Sequence, residues 1–156
     1  MGLRFYDVDN EYTDYLRVFE PKIPHITYSS HDKFICGIVL EVNSFKYYAP
    51  ISSFKQRQFT NLPIIHNNRI IGTVRFSYMF PCPDFVLTEK DFSIEPDFNY
   101  RNLLQDEWNY CNGIEHELKA KARYIYKRYL SGQDTVLLKH CCDFPLLEGK
   151  MKEYAL

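Results

Sequence analysis

The stretch YYAPISSFKQRQF, Tyr47 to Phe59, begins as an apolar strand and turns polar after Pro50. It sets two hydroxyls, Ser52 and Ser53, beside Lys55, with Arg57 two residues further on. Hydroxyls and backbone N–H groups at a strand end can hold a non-bridging phosphate oxygen. A lysine ammonium can neutralise the charge that builds on a pentacovalent phosphorus. RNA supplies its own nucleophile, the 2′-OH, so such a site needs positioning, electrostatics and proton transfer but no metal. Lys33 stands just ahead of a dense apolar run and can reach the same point across neighbouring strands; its other reading is a charge guarding a strand start. His66, before an Asn-Asn pair, is a further acid or base candidate, although a solvated turn histidine is the plainer reading.

Two readings compete with phosphoryl chemistry. Ser52-x-x-Lys55 has the S-x-x-K form of penicillin-binding serine enzymes, in which lysine helps activate serine. The K-T-G strand of that class is missing, the chain is short for it, and Tyr100-Arg101-Asn102 imitates one accessory motif by coincidence. The other reading is a solvated polar turn, and composition alone favours it. Cys141-Cys142 read as core packing rather than reactive thiols.

The elements that must position these residues change character halfway along the chain. Leu3–Val8 alternates weakly, and Tyr12, Tyr15, Leu16 and Phe19 then recur at helical spacing, with Asn10 as the expected N-cap and Pro21 and Pro24 as the stop. Phe34–Val42 and Phe45–Ile51 are β-rich runs separated by Asn43-Ser44, which predicts a hairpin with a two-residue turn. Residues 63–83 predict two more strands around Asn67-Asn68. From residue 99 the period becomes helical. A helix from about Ile114 to Leu130 sets Leu118, Ala122, Ile125 and Tyr129 on one face with Lys119, Arg123 and Lys127 beside them. An Asp-capped helix with Pro145 in its first turn closes the chain. The expected architecture is one α+β domain over residues 1–156, with a strongly bent antiparallel sheet or barrel-like core and a helical C-terminal half.

Bulk properties narrow the partners. The 156 residues are 46% hydrophobic and 25% charged, ordinary for a globular protein, but 17% aromatic, which is high. Most aromatics belong in a core, and exposed ones can stack on unpaired bases. No segment is apolar long enough to span a bilayer as a helix, and acids from Asp7 onward argue against a signal peptide. Gly2 is followed by Tyr6 rather than Ser or Thr at the sixth position, which argues against myristoylation. Five cysteines without a C-x-x-C pair, and five scattered histidines, point to reduced thiols in a cytoplasm, with neither a metal nor another cofactor expected. The net charge is −1, yet it is segregated: residues 33–75 carry +5, residues 84–107 carry −5 and residues 119–128 carry +5. Such a chain can present a polyanion-binding face, which singles out Arg57, Arg69, Arg75, Lys119, Arg123 and Lys127 as phosphate contacts. A non-catalytic module that binds structured RNA through the same face is the alternative to a nuclease.

Several segments together resemble the ToxN/AbiQ family of type III toxin–antitoxin endoribonucleases, and its CptN branch in particular: FYDVDNEYTDYL, KFICGIVLEVNSFKYYAPISSFK, IIGTVRFSYMFPCPD and CDFPLLEGKMKEY. The resemblance spans nearly the whole chain. It implies a twisted, barrel-like core related to the MazF/Kid toxins and a metal-independent, sequence-selective endoribonuclease active in phage defence. Such an enzyme leaves 2′,3′-cyclic phosphate and 5′-OH ends. The resemblance also implies an inhibitor, a repeated pseudoknot RNA that the toxin cuts from its precursor and binds in a closed assembly. The family's catalytic hydroxyls and lysines match Lys33, Ser52, Ser53 and Lys55 here; some relatives carry threonine at the position of Ser52, which keeps the hydroxyl.

Overall fold

In the computed structural model, which describes residues 2–25 and 34–156, the first alternating stretch is strand β1 (Arg4–Val8). Helix α1 (Asn10–Phe19) follows and buries Tyr12 and Leu16, one turn apart. The cap position falls on Asp9, so Asn10, the expected cap, is instead the first helical residue.

Two asparagine turns then set the register of the sheet. Asn43 and Ser44 have φ of 51° and 70°, and Asn67 and Asn68 have 52° and 62°. Positive φ at both central residues belongs to the type I′ turn, whose twist matches the strands it joins and which asparagine tolerates better than most side chains. The first turn folds β2 (Ile35–Val42) onto β3 (Phe45–Ser52), and the second folds β4 (Asn61–His66) onto β5 (Arg69–Arg75). Two short strands, β6 (Phe80–Pro81) and β7 (Leu87–Glu89), complete a sheet of order β4-β5-β3-β2-β1-β7, with β6 also against β3. Among the described residues every strand pair is antiparallel. The sheet is bent but not closed: β4 and β7, its two ends, do not pair.

The bend has a local cause. Gly37 faces Tyr48 and Leu40 faces Tyr47, so Ile38 and Val39 are extra residues on β2 opposite none on β3. Such a bulge kinks and twists the strand that carries it. A Cβ on Gly37 would run into the ring of Tyr48, which fixes glycine at the start of the bulge.

The helical half comprises α2 (Phe98–Gly113), α3 (Glu115–Leu130), α4 (Thr135–His140) and α5 (Phe144–Tyr154). Aspartate caps three of them: Asp97, Asp134 and Asp143 accept from the N–H of Tyr100, Leu137 and Leu146 at 3.1, 3.1 and 3.2 Å. Helix α3 buries Leu118, Ala122 and Ile125 as its spacing predicts, adds Tyr126, and leaves Tyr129 half-buried. Helix and sheet are tied by polar bonds in the core. The Tyr47 and Tyr126 hydroxyls both donate to Glu148 Oε2, at 2.6 and 2.7 Å, and the Tyr12 hydroxyl donates to the Pro81 carbonyl at 2.6 Å. All five cysteines are free and buried, as the sequence led us to expect for Cys141 and Cys142, and burial pushes the Cys141 thiol up to about 12.

One buried carboxyl sits directly under the strand that carries the polar loop. Glu107 of α2 is 4% exposed, and a Cβ built on Gly72 would lie 2.8 Å from both Glu107 Oε2 and the Ser52 carbonyl oxygen. Glycine at 72 is therefore what lets helix and strand approach. Burial, and next the Asp106 charge, raise Glu107 from 4.5 to about 8. The folded chain thus holds a proton there that the unfolded chain loses from about pH 4.5 upward. The stability this contributes is complete below that pH and is lost as pH rises towards 8. Glu107→Gln removes the linkage. Its melting temperature minus that of the wild type should therefore grow by several degrees between pH 5 and pH 8, at about 2–4 °C per kcal/mol for a chain of this size. A difference that stays flat across that window would show that Glu107 is already ionised in the fold.

Candidate active site

The polar stretch emerges where β3 changes partners. One edge of β3 carries β2 along its length; the other pairs with β6 at Tyr47 and Tyr48, and with β5 at Ile51 and Ser52. Ser52 faces Thr73 in the last pair of that ladder, and from Ser53 to Thr60 the chain is a loop. The loop is nevertheless pinned by hydrogen bonds. Ser52 Oγ accepts from the Phe54 N–H at 3.1 Å, and Thr73 Oγ1 donates to the Phe54 carbonyl at 2.9 Å. At the far end the buried Asn61 amide holds both sides of the turn. Its Oδ1 accepts from the Gln58 N–H, and its Nδ2 donates to the Gln56 carbonyl, each at 3.0 Å. A loop held this way can present side chains at fixed positions.

Exposure along the loop start alternates: Ser52 and Phe54 are half-buried, Ser53 and Lys55 are exposed. Ser52 lines a cleft of about 180 Å³ with Lys22, Pro24, Pro50, Arg75 and Tyr78. The Arg75 guanidinium is held between two rings, 4.7 Å from the centroid of Phe54 and 4.7 Å from that of Tyr78. Sandwiching by aromatic faces favours the cation electrostatically and limits its freedom, so its N–H groups are aimed before any ligand arrives. Lys22 reaches the cleft from the turn after α1. That turn is fixed by Arg17, whose guanidinium donates to the carbonyls of Ile23 and Pro24 at 3.1 and 2.7 Å. Lys55 and Arg57 are exposed and form no ion pair among the described residues.

The residues singled out from sequence are thus only partly brought together. Ser52, Ser53 and Lys55 share the β3 exit. Lys33 lies outside the described residues, although the Ile51 N–H donates to the carbonyl of Phe34, the next residue, at 3.3 Å. Arg75 belongs to the cleft itself rather than to a peripheral surface. His66 is elsewhere: it pairs with Arg69 at the tip of the β4–β5 hairpin, four residues from Thr73, or about 13 Å along the strand. There its Nε2 is 3.5 Å from Asp106 Oδ2, so it cannot act directly at Ser52. Arg69 is exposed at that same tip. On α3, Lys119 and Arg123 border a separate cleft of about 270 Å³ against residues 38–41 of β2, and Lys127 is exposed. Other residues of α3, Lys121 and Tyr124, meet the loop: Tyr124 packs edge-on against Phe59 with centroids 5.8 Å apart, and Lys121 Nζ lies 5.0 Å from the Phe59 ring centre. Lys22, Tyr78, Lys121 and Tyr124 are not distinguishable by sequence: the turn after Phe19 and the exit from β5 bring the first two to the cleft, and the packing of α3 brings the other two to the loop.

Known proteins share this fold. The sequence model of the family described as "Toxin ToxN, type III toxin-antitoxin system" matches residues 4–152. Endoribonuclease AbiQ of Lactococcus lactis subsp. lactis is 31% identical, over 99% of this chain and 91% of its own length. Endoribonuclease ToxN of Pectobacterium atrosepticum is 25% identical, over 97% of this chain and 94% of its own. Among solved structures, one of AbiQ, described as a lactococcal anti-phage endoribonuclease of a type III toxin–antitoxin system, superposes with a TM-score of 0.88 at 28% identity and covers 99% of both chains. Another, from work on a type III toxin selectively inhibited by a non-coding RNA pseudoknot, does so with a TM-score of 0.90 at 25% identity, again over 99% of both. The α+β sheet expected from sequence is therefore the fold of these relatives, and the chain belongs to the ToxN family of toxins of type III toxin–antitoxin systems.

Proposed function

We propose that this protein is a metal-independent, sequence-selective endoribonuclease, the toxin of a type III system, acting in the cytoplasm and inhibited by a repeated pseudoknot RNA that it also processes. The observation that carries the assignment of the site is the cleft in which Ser52, at the end of β3, faces Arg75 and Lys22. A phosphodiester laid across that cleft meets a hydroxyl, a backbone turn and two cations. The 2′-OH of the substrate attacks the adjacent phosphorus, the P–O5′ bond breaks, and the products are a 2′,3′-cyclic phosphate and a 5′-OH. Arg75 and Lys22 take the charge that grows on the non-bridging oxygens, where fixed cations act most strongly on the transition state. Ser52, its Oγ held by the Phe54 N–H, orients the phosphate. Ser53 and Lys55 are exposed on the same turn and stand outside the lining of the cleft, so they meet the strand at its rim, where Lys55 moves protons. Lys33 joins them by family resemblance, and His66 has no part in this arrangement.

Phosphates further along the RNA meet Arg57 and Arg69 on the hairpin side and Lys119, Arg123 and Lys127 on α3. These contacts hold the folded inhibitor RNA, in a closed protein–RNA assembly, as well as messenger substrates. Of the acidic segment 84–107, β7 and the residues beside it lie at the sheet end opposite β4, whereas Asp106 stands 3.5 Å from His66 and Glu107 is buried near the Ser52 carbonyl, so only the first part of that charge is kept from the β4–β5 side.

Arg75→Ala should lower the rate of RNA cleavage by about 10²–10³-fold, the usual cost of one fixed transition-state donor. Lys55→Ala should lose at least as much, while His66→Ala stays within about two-fold. Cleavage is followed by gel, with cyclic-phosphate ends identified by mass spectrometry and folding checked by melting temperature. Full activity in Arg75→Ala and Lys55→Ala would remove the site. Binding of RNA with no cleaved product from the wild type would instead leave a binding module. Affinity for a pseudoknot RNA should fall linearly on a log–log plot against salt, and Arg57→Ala should flatten the slope by about 0.7–0.9, the share of one phosphate contact. Affinity that does not change with salt would mean that phosphates are not what the protein grips.

A further inference from the structure

Arg75 and Tyr78 form a wall with a second side. Beyond them lies a larger cavity, about 490 Å³, lined by Gln58, Phe59, Ser77, Val136 and His140. We infer that this cavity binds one unpaired nucleobase of the RNA, next to the phosphate held at Arg75, and thereby selects the sequence that is cut. The inference rests on the endoribonuclease reading above.

Size, chemistry and rigidity all fit a base. The volume is in the range of sites that bury small ligands, and one nucleoside fits with room for water. Phe59 and Val136 are 47% and 60% exposed, so two apolar side chains stand in water in a position where a flat ring can cover them. Phe59 is already braced edge-on by Tyr124, which keeps its ring in place as a stacking platform. The Gln58 amide and the His140 imidazole each carry a donor and an acceptor, the groups needed to tell one base edge from another.

The cavity walls are fixed by backbone bonds. The Phe76 N–H donates to the Thr60 carbonyl at 3.0 Å, and the Cys142 N–H to the Ser77 carbonyl at 2.8 Å. The charge at the rim decides the class of ligand. Lys121 and Arg75 flank the opening, while Arg128 nearby is neutralised by Asp134 at 2.8 Å. An apolar slot with two cations that form no ion pair among the described residues suits the base and phosphate of a nucleotide better than the apolar side chain of a protein partner. The shared wall also gives the geometry: a strand crossing from Ser52 to His140 places a phosphate at Arg75 and its neighbouring base in the slot.

Val136→Trp fills the slot from an exposed position on α4, and His140→Ala removes a polar reader without filling it. Each is tested on a long mixed-sequence RNA by sequencing of the 5′-OH ends, beside Ile94→Trp, an equally exposed position in the segment after β7. Val136→Trp should lower cleavage at the preferred sites on the order of ten-fold while minor sites persist, as expected when stacking of one base is lost. His140→Ala should relax the preference at a single position of the motif, and Ile94→Trp should reproduce the wild-type pattern. An unchanged motif and rate in both Val136→Trp and His140→Ala, with Arg75→Ala inactive, would overturn the base slot and leave the endoribonuclease assignment standing. A wild-type protein that cuts no RNA would overturn both.

Discussion

Strand β3 is bonded on both edges, and almost everything else in the molecule follows from how its second edge is divided. Pairing with β2 from Phe45 to Pro50 fixes its register through the Asn43-Ser44 turn, while β6 and then β5 share the opposite side. Both faces of the strand are buried from Tyr47 to Ile51, so a slip by one residue would put Tyr47, Ala49 and Ile51 into the differently shaped places of Tyr48 and Pro50. That constraint puts Ser52 at the last rung against Thr73 and starts the loop at Ser53. The same loop is then tied back by Thr73 and Asn61, so the polar stretch inherits the rigidity of the sheet. A site on a loop gains its precision from the element that delivers it.

Much of the fold was legible because its signals are local. The Asn43-Ser44 and Asn67-Asn68 turns, the period of α3 and the aspartate ahead of α5 each act over a few residues, and each reads directly from the chain. Helix α4 was missed because six residues hold too little period to recognise. Asn10 was misplaced by one position, a shift that helix ends allow easily. The bulge at Ile38 and Val39 left no local mark except Gly37, and a glycine in a strand has several explanations. The barrel-like expectation was right about the bend and stopped short of closure, because nothing in a single strand records whether the two sheet ends meet.

The site was legible in its polar half only. Ser52, Ser53 and Lys55 stand together in the sequence, so their spacing announces them. Arg75 is twenty residues from Lys55 and was visible only as one cation among several. Its role appears when Phe54 and Tyr78 close on its guanidinium. Lys22 reaches the cleft from another turn. On α3 the charge run is legible, but periodicity gives the buried face and not which of the remaining faces meets a distant loop. Lys121 and Tyr124 win that contact because Phe59 lies across their turn of the helix.

The adjacent serines illustrate how burial separates residues that sequence treats alike. Ser52 ends β3 and Ser53 opens the loop, and their exposure differs. Ser52 is half-buried, its oxygen engaged by the Phe54 N–H, and it looks into the cleft with Arg75. A hydroxyl in that state is a good orienting group and a poor mobile one, since moving it costs the hydrogen bond that holds the loop. Ser53 is exposed, as is Lys55, and has no such bond among the described residues. Free rotation of its O–H lets it follow an oxygen as charge shifts during bond exchange. Under the function proposed above, the two hydroxyls divide the work, Ser52 holding the phosphate still and Ser53 standing beside Lys55 at the rim of the cleft.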